Sequence, residues 1–263
     1  MTKIRRTLMV LLLLAVLRLP IALALSALLP DVSQAPVPFY IVTILQELLM
    51  FALPAVLLRP WRADRLSRPQ HVLPWFLLAV AAAVLARTAL SPVTAWWTGF
   101  IGATGVPIPV SVGFFEGVLQ VLAFGIVPAI VEEMFFRGAL LTALLDSCHR
   151  VTAVLLTTLM FAFMHGSLGG LPAHLAISLL LTLLMLRSGC ILVPIAVHLL
   201  YNLLALGWPV LPGWVAGCCG IVLAGVVIAL HIGLPRQEQA RLSRRDCLLC
   251  AAIFGLMAIP YLM

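Results

Sequence analysis

Gly125-Ile-Val-Pro-Ala-Ile-Val-Glu-Glu-Met-Phe-Phe-Arg137 is the stretch on which the reading of this chain turns. Two adjacent glutamates and an arginine stand in sequence that is otherwise nearly all hydrocarbon. An ionisable group at membrane depth costs several kcal/mol unless it is paired or hydrated, so it marks a functional site by default. Two histidines in similar surroundings follow, in Phe161-Ala-Phe-Met-His165 and in His198-Leu-Leu-Tyr-Asn202. Carboxylates and imidazoles in apolar segments point to hydrolytic chemistry inside a bilayer.

The rest of the chain supplies that bilayer setting. Hydrophobic residues make up 63% and charged residues 10% of the 263 positions, and the mean hydropathy is +1.18. These values lie outside the range of soluble globular domains. Apolar runs long enough to cross a membrane fall near 8–29, 39–58, 72–91, 112–145, 151–166, 171–187, 190–206, 214–234 and 247–262. The expected fold is an all-α, polytopic transmembrane bundle of eight or nine spans. The longest run is expected to break near Gly125 and Pro128, because proline removes a backbone donor and kinks a helix. The first run follows Lys3, Arg5 and Arg6 in the manner of a signal sequence, and Ala22-Leu-Ala24 could be cut. Its length, and Arg18 within it, favour a retained helix.

The net charge of +7 is not a nucleic-acid footprint, because the basic residues alternate between connections as the positive-inside rule requires. Lys3, Arg5 and Arg6 precede the first run; Arg59, Arg62, Arg65 and Arg68 follow the second; Arg150, Arg187 and the stretch from Arg236 to Arg245 mark later alternate turns. Connections 30–38, 92–111, 166–170 and 207–213 are therefore assigned outside, with the N-terminus cytoplasmic. Of the six cysteines, Cys148, Cys190, Cys247 and Cys250 fall near the cytoplasmic side, where thiols stay reduced, and Cys218 and Cys219 lie in a span. Cys247-Leu-Leu-Cys250 has no matching pair at ligand spacing and reads as small apolar filler. No repeat or long linker divides the chain, so residues 1–263 are expected to form a single integral-membrane domain. The polar stretch 235–246 reads as a cytoplasmic anchor.

Depth can be counted from the cytoplasmic turn at Asp146–Arg150. Glu132 lies 14 residues before Asp146 and His165 lies 15 after Arg150, which puts both about 21 to 23 Å from that turn at roughly 1.5 Å per residue. His198 and Asn202 follow the inner turn at Gly189 by 9 and 13 residues, or roughly 14 to 20 Å. Three sequence-distant clusters converge on one layer. Residues four apart share a helix face, so His198 and Asn202 look the same way. Glu133 and Arg137 are placed to pair, leaving Glu132 about 100° round the helix and available. His174 and His231 read as hydrogen-bonded helix contacts, and Glu47, Glu116, Arg18 and Arg87 as interhelical pairs or cavity-lining groups.

At these residues the chain resembles the CPBP family, the CAAX proteases and bacteriocin-processing enzymes, which includes the type II CAAX prenyl endopeptidases. The family pattern is Glu-Glu-x-x-x-Arg, Phe-x-x-x-His and His-x-x-x-Asn/Asp on successive transmembrane helices. Glu132-Glu133-Met-Phe-Phe-Arg137, Phe161-Ala-Phe-Met-His165 and His198-Leu-Leu-Tyr-Asn202 match it without departure. The resemblance covers roughly residues 112–206, the motif-bearing core. It implies an intramembrane endopeptidase in which Glu132 activates water with help from His165, and His198 and Asn202 stabilise the oxyanion. Glu133 and Arg137 would hold the geometry. No cofactor is expected on this mechanism. A zinc-dependent version would use Glu132, His165 and His198 as ligands, although the compact His-Glu-x-x-His pattern is missing.

Two rivals belong to other classes. A proton-coupled transporter also uses membrane carboxylates and histidines, but it predicts paired repeats, and the Glu132 to Asn202 cluster is single and asymmetric. A non-catalytic immunity or scaffold protein would tolerate changes at Glu132, His165 and His198. The intramembrane aspartate-pair mechanism has no candidates, because Asp31, Asp64, Asp146 and Asp246 lie in loops or at helix ends. Ser167 lacks a nucleophile-elbow context and reads as a small polar residue of an outer turn. The expected partners are membrane lipids and a membrane-anchored protein or peptide, with no nucleic acid. Because the site counts to the middle or outer half of the bilayer, C-terminal sorting tails or leader peptides are the expected substrates. A Leu- and Ala-rich composition points to a bacterial inner membrane.

Overall fold

The computed structural model describes residues 3–28, 36–58, 72–103, 113–207, 209, 211–232, 234 and 243–258, and every regular element among them is helical. The turn carrying Arg59, Arg62, Arg65 and Arg68 lies outside the described residues. So do Asp31, Asp64, the side chain of Arg18, and residues 235–242 of the polar stretch.

In chain order the helices are α1 (Lys3–Leu28), α2 (Pro36–Glu47), α3 (Leu53–Leu58), α4 (Val72–Ile101), α5 (Phe114–Val121), α6 (Val127–Glu133), α7 (Leu141–Leu145), α8 (Arg150–Met164), α9 (Leu171–Ser188), α10 (Leu192–Gly207), α11 (Gly213–Ile232) and α12 (Arg244–Ala258). Among the described residues, five segments meet the length and composition of a crossing: Pro36–Val56, Val72–Ile101, Phe114–Leu145, Leu171–Ser188 and Gly213–Ile232. The apolar helices α8 and α10 are shorter. The sequence count of eight or nine includes those two and the terminal helices.

The expected break near Gly125 and Pro128 is replaced by a change of winding. Helix α5 runs into α6 through Leu122–Ile126, which is wound as π-helix. The Val127 N–H reaches back five residues to the Leu122 carbonyl. The ladder therefore slips by one residue immediately before Pro128, the residue with no donor to offer, and the helix continues without opening. Met134–Leu140 is wound the same way around Arg137, and Leu48–Ala52 follows Glu47. Single π-turns collect at functional sites because they re-aim side chains without ending a helix.

The end of α4 also corrects the sequence reading, which placed the outer connection from residue 92 onward. Helix α4 continues through Pro92 to Ile101. Its last turns expose Trp96 and Phe100, and tryptophan is the amphipathic aromatic that favours a membrane–water interface. The Trp97 indole donates to the Leu168 carbonyl at 2.9 Å, which ties this end to the turn after α8.

One cluster of buried apolar side chains runs from Ile4 to Met257. Helix α4 packs against α9, α10 and α11, and α10 packs against α6 and α9. Helix α2 closes the other side of α5 and α6. The segment carrying Glu132 is thereby packed between α2 and α10, with α4 and α9 against α10.

Candidate active site

Glu132 and Glu133 are adjacent on α6 and reach opposite environments. Glu133 and Arg137 are both fully buried, with Arg137 Nη1 donating to Glu133 Oε1 at 2.7 Å. Arg137 Nη2 donates to the Ser178 carbonyl and hydroxyl, each at 2.9 Å, which fastens α9 to this turn. The guanidinium also lies 4.7 Å from the centroid of Phe161, an arrangement attracted by the ring quadrupole. A buried guanidinium is tolerable only with such a set of partners.

Glu133 Oε1 has a second partner, His198 Nδ1 at 3.0 Å. Because this oxygen already accepts from Arg137, the imidazole nitrogen must be the donor. That assigns the proton of neutral His198 to Nδ1 and leaves Nε2 with its lone pair. His165 is fixed in the same sense. Its Nδ1 lies 2.9 Å from the Phe161 carbonyl, an oxygen that can only accept, so Nδ1 carries hydrogen and Nε2 faces away with a lone pair. Both catalytic candidates are thus held in one tautomer by groups behind them.

His165 Nε2 stands 3.7 Å from Glu132 Oε2. That oxygen is buried and accepts no hydrogen bond. Phe161 is the packing hub, with ring centroids 4.6 Å from His165, 5.8 Å from His198 and 5.0 Å from Phe136. This accounts physically for a phenylalanine four residues before the histidine.

Glu132, His165, His198 and Asn202 all line one cavity of about 390 Å³. Its wall also holds Thr43, Glu47, Arg87, Thr94, His174 and Tyr201. A smaller cavity of about 140 Å³, lined by Gln46 and Glu47, reaches Glu132 and His165 from the α2 side. The reading of His174 as a simple helix contact is corrected here, because its ring stacks on His165 with centroids 4.0 Å apart and planes 29° apart. His165 is the C-cap of α8, and Gly166 turns the chain back with φ of 61°. Ser167 does sit in that turn, where its hydroxyl accepts from the Gly170 N–H.

Among the described residues no group of three or more His, Cys, Asp or Glu side chains is gathered closely enough to hold a metal ion, although Nε2 of both histidines has the tautomer a ligand needs.

Neither a curated protein nor a solved structure matches the chain. Residues 114–204 match the family model described as type II CAAX prenyl endopeptidase Rce1-like, and the segment that carries all three motifs is recognised as Rce1-like on that ground.

Proposed function

We propose that this protein is an integral-membrane endopeptidase in which Glu132 activates water for attack on a peptide bond. The Rce1-like match supports a CAAX-type intramembrane endopeptidase in general. The observation that carries the finer reading is the 3.7 Å gap between Glu132 Oε2 and His165 Nε2. With Glu132 ionised, as a general base must be, both atoms are acceptors, since His165 donates through Nδ1. Two acceptors face each other stably only across a shared donor, and one water molecule donating to each is the simplest.

In the reaction Glu132 takes a proton from that water as its oxygen attacks the scissile carbonyl carbon. His165 Nε2 accepts the water's other hydrogen, which aims the oxygen lone pair at the scissile carbonyl carbon. The carbonyl π electrons move to oxygen, and the Asn202 amide N–H groups stabilise the oxyanion. His198 adds a donor only as the imidazolium, with Glu133 as its counter-ion, because its neutral tautomer offers Nε2 as an acceptor. The C–N bond then breaks and the proton held by Glu132 passes to the leaving nitrogen. Glu133 and Arg137 act as positioning residues, through His198 and α9. The smaller cavity beside Gln46 and Glu47 offers a polar route by which water reaches Glu132.

The main cavity extends from Glu132 to Thr94 and Leu206, near the far ends of α4 and α10 from Val72 and Leu192. In the proposed orientation this is the outer half of the bilayer. Membrane-anchored or lipidated tails entering from that side are therefore the proposed substrates.

The test is cleavage of a membrane-peptide library by purified wild type and Glu132→Gln, each with and without a zinc chelator. We expect Glu132→Gln to abolish cleavage, a loss of at least about 100-fold for a general base, and the chelator to change nothing. Equal activity in the variant overturns the site. Loss on chelation, restored by zinc, overturns the metal-independent mechanism.

A further inference from the structure

Arg87 has no part in the chemistry above, yet it stands in the same cavity. It lies on α4, outside the Rce1-like segment, and is the only lysine or arginine among the described residues of the cavity wall. Its position, 15 residues after Val72, puts it about 22 Å along α4, level with Glu132. Half-buried, it lies against the Tyr201 hydroxyl on α10 and donates to it. That phenol is neutral, and the buried Arg87 Nε has no acceptor. Held on one side by a tyrosine and open on the other to a cavity that a peptide must enter, the guanidinium has no carboxylate within ion-pair distance among the described residues, a costly state at membrane depth.

We propose that Arg87 is the subsite for a carboxylate of the bound peptide. A guanidinium fork matches a carboxylate in geometry and charge, and pairs of this kind are among the strongest hydrogen bonds proteins make. A membrane-embedded peptide can bring two such groups to this layer, its terminal α-carboxylate or an Asp/Glu side chain. Arg87 and the Glu132–His165 pair occupy one cavity, so the carboxylate and the scissile bond are within a few residues of each other. The enzyme would therefore select tails cut close to an acidic group, not bonds deep inside an uncharged span. This inference rests on the endopeptidase reading for its meaning, while its binding part can be measured without turnover.

The experiment uses full-length Glu132→Gln protein in detergent and three fluorescent apolar peptides of the same sequence. One ends in a free acid, one in an amide, and one in an amide with a glutamate placed two residues from the end. We expect the acid, the glutamate peptide or both to bind at least about tenfold more tightly than the plain amide, and the pattern identifies the source of the carboxylate. Adding Arg87→Gln should bring the ratio close to one, and Arg87→Lys, which keeps the charge but loses the fork, should leave an intermediate ratio. Equal binding of all three peptides overturns the proposal. So does a ratio that survives Arg87→Gln, including the case in which both affinities fall together because Arg87 only supports the fold. Cleavage by the wild-type protein is followed in parallel, and its absence sinks the endopeptidase reading while the binding ratios still decide the subsite.

Discussion

At the scale of single residues, the site depends on what stands behind the reacting groups. His165 is held by the Phe161 carbonyl on one side and by the His174 ring on the other. Gly170 makes the second contact fit, because a Cβ there would come within 2.5 Å of His174 Cε1. The obstructing atom belongs to a side chain that can rotate, so Gly170→Ala should leave thermal stability almost unchanged. It should nonetheless lower kcat by about tenfold or more, because His174 loses its stack and His165 its orientation. A melting curve recorded beside the kinetics separates the two effects, and unchanged kcat would remove His174 from the site. The Glu133–Arg137 pair behaves differently. Arg137→Met strands a buried carboxylate and should cost about 3 to 5 kcal/mol, whereas adding Glu133→Gln should recover much of that loss, as a double-mutant cycle in denaturant would record. The i, i+4 pairing of Glu133 with Arg137 and the convergence of Glu132, His165, His198 and Asn202, which line one cavity, were legible from the sequence. The bond from His198 to Glu133 was not, because those residues are 65 apart and no local pattern reports a helix rotation. Arg87, read from the sequence as a pairing or cavity-lining group, does line the cavity, and the same depth count along α4 gives its level. The stack of His174 was not legible, since the turn that folds it onto His165 has no periodic signal.

At the scale of elements, apolar runs located the helices because the bilayer demands hydrocarbon along their full length. The runs could not disclose winding. The π-turn before Pro128 depends on how α5 and α6 meet α2 and α10, and the extension of α4 past Pro92 depends on an interfacial anchor at Trp97. The terminal helices carry a contact that composition also hid. Asp246, in the first turn of α12, accepts from the Ser243 hydroxyl at 2.6 Å and from Arg5 Nε of α1 at 3.3 Å. The Ser243 hydrogen bond, with Arg5 adding to it against the opposing effect of burial, holds the Asp246 carboxyl below its ordinary range. A carboxyl with a lowered folded-state pKa stabilises the fold above its unfolded value, near 3.9, and that contribution is lost as the pH falls through the lowered folded value. The melting temperature of wild type should therefore exceed that of Asp246→Asn at pH 6. The difference should shrink only below about pH 4; a difference already gone at pH 5.5 would contradict the assignment.

At the scale of the whole molecule, orientation decides which substrates can reach Glu132, and the native cysteines can report it. Cys247 is exposed at the start of α12, one residue after Asp246, whereas Cys148 and Cys190 are buried and Cys218 and Cys219 lie within the apolar span α11. Burial also pushes the Cys148 thiol up to about 11, so almost none of it is thiolate at neutral pH and its reactivity is low. An impermeant maleimide applied to sealed vesicles should accordingly label Cys247 alone. With the N-terminus cytoplasmic, α1 and α12 pinned by Arg5–Asp246 place Cys247 on the cytoplasmic side as well. Inside-out vesicles should then label and right-side-out vesicles should not, and Cys247→Ser should abolish the signal. The cavity mouth by Thr94 and Leu206 lies toward the opposite surface, so a cysteine introduced at Ser167 in the outer turn should give the reciprocal pattern. Labelling of Cys247 from the outside would invert the molecule, turn the mouth of the cavity toward the cytoplasm, and make cytoplasmic lipidated tails the substrates that Glu132 can reach.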